Sequence, residues 1–197
     1  MYISLEGIDL VGKSSQIDLL KKEFPDFIFT KEPGGTAFGQ RIREMILHDD
    51  FSLNRTSEFL LFLSDRSEHY HRVIKPNIQS AKTVVSDRSI ISGMAYALQN
   101  GGISEEDILN MNLMTVENQL PDLVILLKIS EDELIRRRTT RDHDNIESRG
   151  LKYALQVQEY LEYWIEKLGL NLLKIDASKT IEDIFKEIYV EVSEIIR

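Results

Sequence analysis

Five short runs of bulky or β-branched residues, 2–6, 27–30, 83–86, 123–127 and 172–175, alternate along the chain with stretches whose apolar residues recur at helical spacing. That alternation constrains the fold more than any other feature. Strands joined through helices pair in parallel, cross over with a right hand and are covered on both faces. The runs 83–86 and 123–127 are compact and apolar, as interior parallel strands should be. The helical stretches are expected at about 14–24, 37–47, 55–80, 90–98, 105–120 and 132–138, then up to about 168, and at 180–196. Pro76 lies near the end of the longest, and Asn100-Gly101-Gly102 splits two others. The expectation is an α/β domain with a five-stranded parallel sheet, spanning 1–197 as one unit. In such sheets ligands bind at the carboxyl ends of the strands.

Bulk properties exclude several classes. A chain of 197 residues suffices for one sizeable core but not for two full domains. No apolar run reaches the roughly 18 residues of a membrane span, so no membrane partner is expected. The first residues lack the pattern of a signal peptide, and the absence of cysteine excludes disulfides and agrees with a cytoplasmic location. A net charge of −9 disfavours nucleic acid as a partner, so any anion site must be local. The arginines are bunched accordingly: Arg41 and Arg43, Arg66, Arg88, and Arg136-Arg137-Arg138 with Arg141.

Between the first strand and the first helix lies Gly7-Ile8-Asp9-Leu10-Val11-Gly12-Lys13-Ser14, which meets the P-loop pattern in the context that the pattern requires. The glycines let backbone N–H groups turn inward around a phosphate, and the helix N-terminus adds its partial positive charge. Lys13 then reaches the β and γ phosphates and Ser14 takes a magnesium ion. Residues Gly7 to Ser15 are therefore the candidate ATP contacts. No arginine lies inside the loop, where Leu10 and Val11 stand instead. Phosphoryl transfer needs cations around the equatorial oxygens, so the missing charge is sought in Arg137, Arg138 and Arg141. They flank a polar segment, about 137–149, suited to act as a short mobile lid. A solvated basic helix end is the plainer reading of the same residues.

A second set of residues suits an acceptor. Asp87-Arg88 closes the third strand, where Asp87 can approach magnesium through water and Arg88 can clamp a phosphate. Phe62 and Arg66 lie four apart on one helix face, a ring and a guanidinium suited to a nucleobase, although core packing is the ordinary role of an isolated phenylalanine. Ser92 and Tyr96 share a face downstream of Arg88, and Arg43 follows the Gly34-Gly35 turn by two helical turns. His69 and His71, two apart on a helix, do not make a metal pair, and Asp142-His143-Asp144 is read as solvated.

These residues together resemble thymidylate kinase over nearly the whole chain. The resemblance is carried by Leu5-Glu6-Gly7-Ile8-Asp9, Lys31-Glu32-Pro33-Gly34-Gly35-Thr36, Phe62 with Arg66, Asp87-Arg88 with Ser92 and Ala95-Tyr96, and Pro121-Asp122-Leu123. It implies a P-loop NTPase fold, a homodimer, magnesium, and transfer from ATP to dTMP. It also implies roles: Asp9 at the sugar 3′-hydroxyl and the magnesium shell, Arg43 and Arg88 on the dTMP phosphate, and Phe62 stacked on thymine. Arg66 would read O4, and Tyr96 would crowd out a 2′-hydroxyl. The loop without arginine resembles the bacterial branch in which the lid supplies it, with Arg137 near ATP and Arg141 on the transferring phosphoryl, Arg138 being its rival. Ala97 and Gly93 depart from the polar residues of many relatives, which implies thinner base contacts there. Two alternatives stand beside this reading: a kinase for another nucleoside monophosphate, and a noncatalytic P-loop binding module.

Overall fold

Residues 1–47, 53–137, 146 and 149–196 are described by the structure, a computed structural model. Strands β1 (Tyr2–Glu6), β2 (Ile28–Lys31), β3 (Val84–Asp87), β4 (Leu123–Lys128) and β5 (Leu172–Asp176) form one sheet in the order β2-β3-β1-β4-β5. All four pairings are parallel. Every residue of β1 is buried, so both faces of the sheet are covered, as its apolar composition requires. On the helical layers, α1 (Lys13–Glu23) packs against α9 (Ile181–Ile195), and α5 (Ile90–Asn100) packs against α8 (Leu151–Lys167), α3 (Arg55–His69) and α6 (Glu105–Thr115). The core between them is built on Ile3, Leu5, Ile91, Met94, Ile125 and Trp164.

Polar residues fix where helices begin. Asn54, Ser89, Ser104 and Thr180 each accept a backbone N–H of the first turn, of Ser57, Ile91, Asp107 and Asp183 respectively. Each such cap is worth about 1 kcal/mol. Ser89 matters most here, because it turns the chain from β3 directly into α5 and so fixes Arg88, whose φ is 70°, at the sheet edge.

Two expected helices differ in the structure. The continuous helix over 55–80 is α3, a π-helical turn at Tyr70–Ile74, and α4 (Lys75–Gln79). Pro76 has no N–H to give the preceding turn and its ring crowds the carbonyl four residues back, and widening the turn by one residue relieves this. The helix expected to run to 120 stops at Thr115, because Glu117 and Asn118 adopt positive φ, of 49° and 61°, and the Asn118 N–H closes on the Leu113 carbonyl at 2.9 Å.

Register brings the functional segments level. Leu5 pairs with Asp87 and with Ile125, so the loop leaving β1 and the Asp87-Arg88 pair leaving β3 emerge side by side. Strands β2 and β3 lie to one side of β1, and β4 and β5 to the other. This is the point where a parallel sheet opens a crevice.

Candidate active site

The loop Gly7–Gly12 wraps the end of β1 before α1 starts at Lys13. Gly7 has φ of 144°, and a Cβ on it would lie 2.7 Å from the Leu127 carbonyl oxygen, so no side chain fits there. Lys13 is 7% exposed, and its Nζ donates to the carbonyls of Gly7 at 2.9 Å and Ile8 at 3.1 Å. Burial and the neighbouring Arg88 charge pull its pKa below the ordinary value, opposed by Asp87, Asp9 and Glu6. The ammonium therefore sits inside the loop, held by oxygens that phosphate can replace. Arg137, at the end of α7 (Glu131–Arg137), donates to the Leu10 carbonyl at 3.1 Å and the Ala177 carbonyl, and is held by Glu133 at 2.6 Å. It thus borders the loop. Arg138 and Arg141 lie outside the described residues, as does most of the expected lid.

Beside the loop, a cleft is lined by Asp9, Arg43, Phe62, Arg66, Arg88, Ser92 and Tyr96, with Glu32, Pro33, Ser89 and Gly93 among the rest of its wall. All seven acceptor-side residues expected from the sequence meet in it. Arg88 is the hub. It donates to Asp9 Oδ1 at 2.7 Å, to Ser92 Oγ at 3.1 Å and to the Gly7 carbonyl at 3.0 Å, and its guanidinium lies 5.5 Å from the Tyr96 ring centre. Arg43 donates to the Pro33 carbonyl at 3.2 Å.

Beneath Arg88 lies a carboxylate to which the sequence assigned no role. Glu6 is fully buried and receives the hydroxyls of Ser89 at 2.6 Å and Ser92 at 2.5 Å. Burial raises its pKa, while the two serines, Arg88 and Lys13 act to lower it. Asp87 lines an adjoining hollow with Ser14, and its buried Oδ1 has no hydrogen-bond partner. Among the described residues no cluster of three or more His, Cys, Asp or Glu side chains suits a metal. A hard divalent cation that keeps waters and takes phosphate oxygens needs no such cage; Ser14 and the unpartnered Asp87 oxygen, which line one hollow, fit that requirement, while Asp9 Oδ1 is engaged by Arg88.

The chain matches the thymidylate kinase family model over residues 5–188. It belongs to the thymidylate kinase family. Relatives include the thymidylate kinases of Sulfurovum sp. (strain NBC37-1), 46% identical over 95% of this chain and 97% of that one, and of Aliarcobacter butzleri, 46% identical over 95% and 96%. The fold is also that of the thymidylate kinase crystal structure from Ehrlichia chaffeensis, with a TM-score of 0.77, 25% identity and 98% of each chain covered.

Against the thymidylate kinase expectations, Gly93 gains a specific reason. A Cβ there would lie 2.7 Å from Arg66 Cζ, so the missing side chain is the space that the guanidinium fills. The two histidines part as their spacing implied: His69 is buried against Glu32 and Thr30, and His71 meets Glu117 at the surface.

One buried acid makes a pH prediction. Asp65 is 1% exposed; its Oδ1 accepts the Gly34 N–H at 3.1 Å and its Oδ2 has no partner. Burial, then the Glu32 charge, raise its pKa to about 6. The folded state therefore holds this proton more tightly than the unfolded chain, and stability present at about pH 4 falls as pH rises through about 6. Asp65→Asn keeps an acceptor for Gly34 without the charge. Denaturant unfolding is expected to show the variant more stable than wild type at pH 7, on the order of 1–3 kcal/mol, with the gap closing at pH 4. A gap independent of pH would contradict this assignment.

Proposed function

We propose that this chain is an ATP-dependent dTMP kinase, transferring the γ-phosphoryl group of ATP to the phosphate of dTMP to give dTDP and ADP. The observation that carries the reading is the meeting of Arg88, Arg43, Phe62, Arg66 and Tyr96 in one cleft that shares Asp9 with the phosphate loop. A phosphate clamp, a ring for stacking and a donor for a base edge serve an acceptor nucleotide, and a simple nucleotide switch needs none of them.

In the proposed reaction, the acceptor phosphate lies between Arg88 and Arg43, and one of its oxygens attacks the γ-phosphorus as the bond to the β-phosphate oxygen breaks. Lys13 follows the charge on the transferring group, Arg137 borders ATP, and Arg141, with Arg138 as its rival, meets the equatorial oxygens. Asp9 orients Arg88 and takes the sugar 3′-hydroxyl, while Tyr96 lies under the deoxyribose and disfavours a 2′-hydroxyl. Ser14, Asp9 and Asp87 would hold a magnesium ion bound with ATP, which would supply charge neutralisation at the phosphates.

The working unit in this proposal is a homodimer. Phe38, Leu60 and Met114, at 46%, 47% and 69% exposure, share one surface with Met111, an apolar patch that supports this reading. We assign the enzyme to the cytoplasm, with small-molecule substrates and no nucleic acid partner, consistent with the net charge of −9. The test is acceptor-dependent ADP release with ATP and magnesium, which dTMP is expected to support. ATP binding without release under dTMP would favour a noncatalytic module.

A further inference from the structure

Arg66 is held in an unusual way for a residue that faces a ligand cleft. Its side chain is 3% exposed, and its Nε donates to Glu32 Oε2 at 2.9 Å. Nη1 donates to Asn112 Oδ1 at 2.6 Å. Asn112 is itself pinned, because its amide nitrogen donates to the Ile108 carbonyl one turn earlier at 2.7 Å. Its oxygen is thereby committed to the arginine. The other oxygen of Glu32 meets His69 Nδ1 at 2.9 Å, and His69 Nε2 meets the Thr30 hydroxyl at 2.6 Å. The Glu32 oxygens and the Asn112 oxygen are thus engaged by Arg66 and His69, and Arg66 Nη2 reaches the Ser89 carbonyl at 3.5 Å.

We propose that Glu32 is a positioning residue for base choice. Backed by His69 and Thr30, and joined by Asn112, it fixes the Arg66 guanidinium so that this stretch of the wall presents N–H donors to the acceptor base. Guanidinium has five N–H bonds and no lone pair to offer. A wall of this kind favours a pyrimidine with a carbonyl at C4 over one with an amino group there, since the amino group would face donors and leave buried polar groups unpaired. Burial opposes ionisation of Glu32, but the Arg66 charge and the His69 hydrogen bond outweigh it and bring its pKa below the ordinary carboxylate value. The pair is therefore an ionic one at neutral pH. Gly93 completes the arrangement by leaving the guanidinium its space.

This inference rests on the dTMP kinase reading, and its test separates the two. Steady-state kcat and KM are measured for dTMP and dCMP, and KM for ATP, in wild type, Glu32→Ala, Glu32→Gln, Asn112→Ala and Arg66→Ala. For Glu32→Ala the KM for dTMP is expected to rise about tenfold or more, with the dTMP over dCMP preference falling by a similar factor and the KM for ATP within about twofold. Glu32→Gln keeps an oxygen for Nε and is expected to recover most of the preference. Asn112→Ala, which leaves the ion pair intact, gives a readout if Glu32→Ala does not fold, and is expected to lose about threefold or more of the preference. Wild-type preference in folded Glu32→Ala or Asn112→Ala, with Arg66→Ala impaired, overturns the positioning role alone. Wild-type enzyme that ignores dTMP overturns the parent reading and this one with it.

Discussion

Lys13→Ala is expected to lower kcat by about 10²–10³-fold with every acceptor, and to lower kcat/KM by the same factor. The ammonium is buried within the loop and held by the Gly7 and Ile8 carbonyls, so it is poised to follow negative charge as the phosphoryl group moves. Its contribution grows between ground state and transition state, which is why kcat rather than KM carries the loss. The fold should survive, because the substitution removes a desolvated cation whose pKa burial already depresses. Single-turnover transfer in a variant with a wild-type melting curve checks this. Retention of kcat within about tenfold would remove Lys13 from the transferring charge.

Arg88→Met is expected to damage both folding and turnover. Arg88 is the cation set among Asp9, Asp87 and Glu6, and although burial works against its charge, Tyr96, Asp9, Asp87 and Glu6 together raise its pKa, so it remains protonated. Removing it takes a cation from the buried Glu6 and from the partly exposed Asp9, and with solvent screening at Asp9 the cost is on the order of 1–3 kcal/mol. The backbone strain is unchanged, since methionine and arginine tolerate the positive φ equally poorly. The variant should regain stability as pH is lowered toward 5, because protonating Glu6 relieves the uncompensated charge, and the folded state then binds more protons than the unfolded one. Urea unfolding at pH 7 and pH 5 measures this. The kcat/KM for dTMP should fall about 10³-fold, as the clamp proposed for the acceptor phosphate is lost. A variant as stable as wild type at pH 7 would show that Arg88 is not the electrostatic hub.

What the sequence revealed depended on how local each feature was. The phosphate loop is contiguous and bounded by a strand and a helix, so its residue order alone marked it. Phe62 with Arg66, and Ser92 with Tyr96, were legible because a helix places residues four apart on one face. Asp87-Arg88 was legible because a parallel sheet presents its ligands at strand ends. Glu6 was not, since an acid closing a strand reads as a surface residue until Ser89 and Ser92, 83 and 86 positions away, are seen to cover it. Nor were Glu32 and Asn112 visible as partners of Arg66, being 34 and 46 positions distant. Periodicity tells which face a residue shares, not which side chain it meets. Gly93 shows the same limit: its departure from a polar residue implied a lost contact, whereas in the fold it makes room for Arg66.

The central claim, that the chain phosphorylates dTMP, is tested most directly by an acceptor panel. ADP release from ATP and magnesium is measured with dTMP, dUMP, dCMP, CMP, UMP, AMP and GMP in turn. The highest kcat/KM is expected with dTMP, with dCMP and the ribonucleotides well below it. Turnover of CMP, UMP, AMP or GMP that equals or exceeds that of dTMP would contradict it.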